Sequence, residues 1–229
     1  MNRQWDTGRT EAFSDGVLGV AITLLVLDIN VPQSQIKHFW YSIIHLWPTY
    51  LAYLTSFATI GGLWLAHHGI FARLSRMDRT VMSINLALLL AASFLPFPTK
   101  LMAESLRLTS AERSAVIFYG ASLLVISLLL NAMWRLVAAR PHLLRPDVDD
   151  QEIQRILNVT TPNLGFYVIA MLLAIVAPYV AAFAYLVLAI LLVLPTTSTD
   201  RLAPIGRRRR RNNRESGSGA SVHDQDRAP

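Results

Sequence analysis

Apolar residues gather in six runs that carry almost no charge, at 16–27, 43–71, 81–95, 115–139, 164–177 and 180–194. Their continuity lacks the period-two alternation of a strand, so each reads as a membrane-crossing helix. A transmembrane barrel would show many segments of about 10 residues alternating in polarity, a pattern missing from this chain. The second run, taken from about Trp40 to Phe71, is long enough to cross with tilt, and Trp40 and Trp47 suit a membrane interface. The third starts near Asp78 and ends at Pro96-Phe97-Pro98, where two prolines remove donors and are expected to turn the chain. The fourth closes on the interfacial pair Trp134-Arg135. Asp147, Asp149 and Asp150 are placed to cap the next helix, and Asn158, Thr160, Thr161 and Pro162 predict a polar, kinked start to the fifth run.

The first run is the unusual one. Only 12 residues separate Asp15 from Asp28, about 18 Å of helix against a hydrocarbon core of about 30 Å. One or both carboxylates therefore lie near or inside the hydrocarbon depth, which predicts a first helix that is central and shielded rather than peripheral. The same run has the length of a secretory signal core. Asp6, Glu11 and Asp15 interrupt that leader, and no small-x-small cleavage site follows Leu27, so the segment is expected to stay in the mature chain.

Composition agrees with the pattern: 53% apolar residues, 16% charged residues and a mean hydropathy of +0.38 describe an all-α integral membrane protein. The absence of cysteine removes disulfides, thiolate metal sites and cysteine nucleophiles. With the amino terminus inside, 17 Lys and Arg residues fall on the cytoplasmic side and four (Lys37, Lys100, Arg107 and Arg113) outside. Both termini are then cytoplasmic, the span count is even, and the protein belongs in the cell membrane as a multi-pass chain. Residues 1–195 are read as the six-helix domain and 196–229 as a disordered basic tail. Arg207, Arg208, Arg209, Arg210 and Arg211 act there as an orientation signal with possible anionic lipid contact; no nucleic-acid partner is expected.

Within the first helix, Val20, Leu24 and Leu27 form one stripe at i, i+4, i+7, flanked by Thr23 at about 60°. Arg9 and Asp15 are about 120° apart and cannot pair on one face. His67 and His68 are the obvious partners on the second crossing helix, and at least one is expected to hydrogen-bond Asp15 or Ser14, bracing the first helix. Asp28 at the far end would attract cations to that end of the helix or stand as a solvated interface residue.

The motif Arg9-x-x-x-Phe13-Ser14-Asp15-Gly16, with Val20 to Ile29 after it, closely resembles the first helix of the transmembrane protein 175 family of potassium channels. The likeness continues through Trp64-x-x-His67-His68-x-x-Phe71 and from Asn85 to Phe94-Leu95-Pro96-Phe97-Pro98-Thr99, covering most of residues 9 to 100. It implies a six-helix subunit that, as in prokaryotic members, assembles as a homotetramer with four first helices around a central pore. By similarity, Val20 forms the narrow apolar ring, with Leu24 and Leu27 stacked above it and Thr23 beside them. Arg9, Phe13, Ser14, Asp15, Trp64, His67, His68 and Asn85 make up the motif and bracing network. The family lacks the Thr-Val-Gly-Tyr-Gly carbonyl filter, and so does this chain. The expected function is passive, potassium-selective conduction with apolar rings as filter or gate, with no cofactor and no metal beyond the permeating ion.

The nearest rival is a proton-coupled secondary transporter or proton-permeable channel, because Asp15, His67 and His68 are ionisable groups within the membrane. No internal inverted repeat supports a transporter. An enzyme is not expected: adjacent His67 and His68 point about 100° apart, unlike a His-x-x-x-His metal pair.

Overall fold

The computed structural model describes residues 7–29, 39–107 and 111–194; Lys37 and the basic tail with Arg207 to Arg211 lie outside the described residues. Apart from one bridge pair, Leu74 with Leu144, the regular structure described is all helical. Helix α1 spans Thr7–Leu24 and tightens into a 3₁₀ turn at Leu25–Asp28. The others are α2 (Phe39–His45), α3 (Trp47–Arg73), α4 (Arg79–Phe94), α5 (Pro96–Ser105), α6 (Glu112–Ala138), α7 (Asp150–Val176) and α8 (Pro178–Val193).

Among the described residues, three segments are long and apolar enough to cross a membrane: Thr7–Asp28, Arg79–Ser105 and Glu112–Ala138. Two more, Leu164–Val176 and Pro178–Val193, are shorter apolar helices. Helix α3 is as long as α6, but Thr49, Thr55, Ser56, Thr59 and His67 dilute its apolar character while lying buried in the bundle.

Three expectations about boundaries are corrected. The chain does not turn at Pro96-Phe97-Pro98: Leu95 keeps helical angles (φ −56°, ψ −34°) and α5 continues from Pro96 to Ser105. Proline is harmless in a first helical turn, where its N–H would have no partner anyway. The Leu95 N–H closes on the Ala92 carbonyl at 3.2 Å, and the Thr99 hydroxyl donates back to the Leu95 carbonyl at 2.8 Å. The second run breaks at Leu46, which separates α2 from α3. Helix α7 begins at Asp150, so Asn158 and Thr161 sit inside the helix rather than at its entry; Asp149 caps it by accepting from the Gln151 N–H at 3.3 Å.

The contacts define two ends. At the arginine-rich end, Arg73 donates from Nε to Glu152 Oε1 at 2.8 Å, Arg140 pairs with Asp78, and the Arg145 N–H reaches the Arg73 carbonyl at 2.9 Å. Asp78 also caps α4 through the Val81 N–H at 2.9 Å. At the opposite end, Trp47 stacks on Phe183 at 6.0 Å, and the Tyr179 hydroxyl donates to the Leu106 carbonyl at 3.3 Å.

Between the ends, packing is tight. A Cβ on Gly120 would lie 2.0 Å from the Tyr185 hydroxyl and 2.7 Å from Met171 Cγ, so only glycine lets α6 approach α7 and α8 so closely. A buried hydroxyl cluster, with Ser56 Oγ at 2.7 Å from Thr99 Oγ1 and 2.9 Å from the Tyr119 hydroxyl, joins α3, α5 and α6. In an apolar surrounding such groups must satisfy one another.

Candidate functional site

Helix α1 packs against α3, α4 and α5, and its two sides differ in chemistry. The inward side carries Thr10, Ser14, Leu18, Ala21 and Leu25, all buried. This spacing of four, four, three and four residues is one helical face.

Polar groups tie the first half of that side down. The Ser14 hydroxyl donates to the Thr10 carbonyl at 2.9 Å and accepts from Asn85 Nδ2 at 3.0 Å. Asn85 Oδ1 in turn accepts from His67 Nε2 at 2.8 Å, and His67 stacks on Phe71 at 4.4 Å. Ser14, His67 and Asn85 are all fully buried, so this three-helix link is made away from water, where an unmatched polar group is most costly. Beside it, Trp64 Nε1 donates to Asp15 Oδ1 and His68 Nδ1 donates to Glu11 Oε1, each at 2.9 Å. Glu11 and Asp15 are i, i+4 on α1, and Trp64 and His68 are i, i+4 on α3. The pairing runs in reverse order, as antiparallel helices require.

This arrangement corrects the expected bracing in one respect. Neither histidine bonds Asp15 or Ser14 directly: Trp64 takes the Asp15 carboxylate, His67 reaches Ser14 only through Asn85, and His68 takes Glu11. Glu11, not singled out from the sequence, is therefore part of the site. Its signal was present in its i, i+4 spacing from Asp15, matched by Trp64 and His68. Arg9 and Phe13 are exposed, and neither Arg9 nor Asp15 pairs with the other.

The outward side carries the predicted stripe. Val20 is 58% exposed, Leu24 42% and Leu27 72%, and Thr23 is exposed beside them. Because Leu25–Asp28 is a 3₁₀ turn, successive residues there rotate by about 120°, which sets Leu27 almost directly above Leu24. Toward the amino end the exposed arc continues through Phe13 and Gly16 in line with Val20, with Ala12 and Gly19 flanking them, and a Cβ on either glycine would meet nothing within 4 Å. The Thr23 hydroxyl donates to the Val20 carbonyl at 2.9 Å. With its proton so placed, both lone pairs of the oxygen are left to accept or to face a cation.

Helix α1 is thus at the edge of the subunit rather than enclosed by it: 28% of its spanning window is buried, against 44% for α6. Enclosure is unnecessary for its charges, because Trp64 and His68 satisfy the two carboxylates from one flank. At the far end, Asp28 turns back toward its own subunit, with Lys100 Nζ 3.9 Å from Oδ1. Lys100 is the second residue that the sequence did not single out. It lies 72 positions from Asp28 by number, and no local spacing links the two.

Comparison with known proteins places this arrangement in context. The profile of the family described as endosomal/lysosomal potassium channel TMEM175 matches residues 9–96, which hold both sides of α1 and its anchors on α3 and α4. A protein of Chamaesiphon minutus named a potassium channel is 40% identical over 194 residues, covering 83% of this chain and 95% of that one. A second protein so named, from Streptomyces collinus, is 40% identical over 145 residues, covering 63% and 70%. The crystal structure of a lysosomal potassium-selective channel TMEM175 homolog from Chamaesiphon minutus superposes with a TM-score of 0.73 at 39% identity, over 81% of this chain and 95% of that one.

Proposed function

The chain belongs to the TMEM175 family, a family of ion channels and not of enzymes, and from that membership we propose that it is a potassium channel conducting passively across a membrane. The pore is built from α1. Four subunits form a homotetramer in which the outward sides of four first helices meet, Val20, Thr23, Leu24 and Leu27 line the path, and Asp28 stands near its mouth. Each subunit crosses the membrane six times, with both termini cytoplasmic in the cell membrane. Residues 1–195 form the channel domain, and 196–229 a cytoplasmic tail whose arginines contact anionic lipid.

The observation that carries this reading is the division of α1 into an anchored side and an uncovered one. The polar anchors fix the rotation of α1 about its axis, so the uncovered stripe faces one direction only. Ala12, Gly16 and Gly19 supply the small side chains that let helix backbones approach one another in a membrane. Rings of valine and leucine exclude water from a narrow pore and can gate by dewetting, while the Thr23 oxygen replaces part of an ion's hydration shell. Potassium is the permeant species and no further cofactor is required.

Flux of potassium and sodium through the purified protein in liposomes tests the assignment. Passive, potassium-preferring flux that loses selectivity in Val20→Asn and Leu24→Asn supports it. Flux that needs a proton gradient and is indifferent to both substitutions would make the protein a proton-coupled transporter.

A further inference from the structure

A second site lies far from α1 in chain order, in the groove between α6 and α7 at the arginine-rich end. Arg135, Gln154, Leu157, Asn158 and Thr161 line a cleft of about 540 Å³. On α7 the four lining residues fall at i, i+3, i+4 and i+7, one face over two turns. Facing them, Asn131 and Arg135 are i, i+4 on α6. Asn131 Nδ2 and Arg135 Nη2 both donate to Thr161 Oγ1, at 3.3 and 3.4 Å, which holds the guanidinium at the cleft wall.

Arg73 is matched by Glu152 and Arg140 by Asp78, whereas Arg135, like Arg76, Arg79 and Arg145, has no carboxylate in ion-pair reach among the described residues; of these four, Arg135 is the one that lines the cleft. No acidic residue lines the cleft either. A lone guanidinium ringed by neutral amide and hydroxyl donors suits an anion with several acceptor oxygens. The groove is open and roomier than a bare oxyanion needs. The site also sits where α7 changes from polar residues to the apolar helix Leu164–Val176, the kind of boundary at which lipid headgroups meet a membrane protein.

We propose that the α6–α7 cleft binds a phosphate-bearing anion, presented as the headgroup of an anionic phospholipid. The inference does not depend on which ion the protein conducts. It is distinct from lipid attraction by the basic tail, since it assigns a structured contact to neutral residues as well as to a charge.

Thermal unfolding of the full-length protein in neutral detergent, followed by tryptophan fluorescence, tests this. The probes are short-chain phosphatidylglycerol, short-chain phosphatidylcholine and inorganic phosphate, applied to the wild type, Arg135→Gln, Arg135→Lys, Asn158→Leu and Arg145→Gln. Phosphatidylglycerol should stabilise the wild type and phosphatidylcholine should not. Half-saturation should weaken by about fivefold or more in Arg135→Gln, less in Arg135→Lys, and also in Asn158→Leu, which leaves net charge unchanged. Arg145→Gln, at an exposed arginine outside the cleft, should bind as the wild type does. Should Arg135→Gln fail to fold, Arg135→Lys and Asn158→Leu carry the test. Stabilisation by inorganic phosphate alone, with the same variant pattern, supports the anion site and assigns its source to soluble phosphate. An equal response of all variants to phosphatidylglycerol, or no response to either anion, overturns the proposal.

Discussion

The two halves of helix α1 differ in how they are held. From Thr10 to Asp15, the inward and flanking positions are bonded to α3 and α4 through Ser14–Asn85–His67, Asp15–Trp64 and Glu11–His68. From Val20 to Leu27, the outward positions are largely uncovered within the subunit. In water an uncovered stripe of valine and leucine would itself drive association, but lipid is as apolar as leucine and supplies no such force. The polar half must therefore set the orientation of the helix, and the apolar half is free to be shaped by permeation. Stability and conduction should separate along α1.

The largest effect is expected where the anchor is deepest. Asn85→Leu removes both bonds that join α1 to α3 through α4, leaving the His67 N–H buried without an acceptor. The cost is about 3 kcal/mol, read as a fall in the thermal midpoint together with loss of the assembled species on size exclusion. An unchanged midpoint would mean that the link does not hold α1. Val20→Asn and Leu24→Asn should do the opposite: exposed substitutions shift stability by no more than about 0.5 kcal/mol, while potassium selectivity in liposomes collapses. A large loss of stability in these two variants would show that the outward side is packed after all.

The flanking pairs rank next. Trp64→Phe keeps the ring and deletes the hydrogen bond to a carboxylate, for an expected loss of about 1–2 kcal/mol in unfolding measurements. His68→Gln should cost under about 1 kcal/mol, because the pair with Glu11 is largely exposed. The reverse ranking would place the main anchor at Glu11 rather than at Asp15.

Much of this division was legible in the sequence, and the reasons are physical. A period of 3.6 residues put Val20, Leu24 and Leu27 on one face before any contact was known, while the direction of that face came from the family resemblance. Asp15 at the head of an apolar run required a partner, and His67 and His68 were the expected ones. That Trp64 takes Asp15 and Asn85 relays His67 to Ser14 was not legible, because only the crossing geometry of the helices decides which donor meets which acceptor. Pro96 misled for a related reason: proline forbids a donor but not a helix start, and whether the chain turns depends on what packs against it. The α6–α7 cleft could not be anticipated, since Arg135 and Asn158 come together only through the packing of two helices.

The smallest and most delicate effect lies at the far end of α1. Lys100 Nζ stands 3.9 Å from Asp28 Oδ1, where unit charges interact by about 1 kcal/mol in bulk water and more where water is partly excluded. Lysine thus offsets much of the negative potential that Asp28 would present to an entering cation. Lys100→Gln should raise potassium flux about twofold at 10 mM salt, where the screening length is about 30 Å, and have little effect at 150 mM, where it is about 8 Å. Asp28→Asn should lower flux under the same low-salt condition, and the double variant should lie between the two single variants and near the wild type, because the two charges set opposite potentials at the same place. Flux that ignores Lys100 and Asp28 at every ionic strength would remove this carboxylate from the ion path and confine the working part of α1 to Val20, Thr23, Leu24 and Leu27.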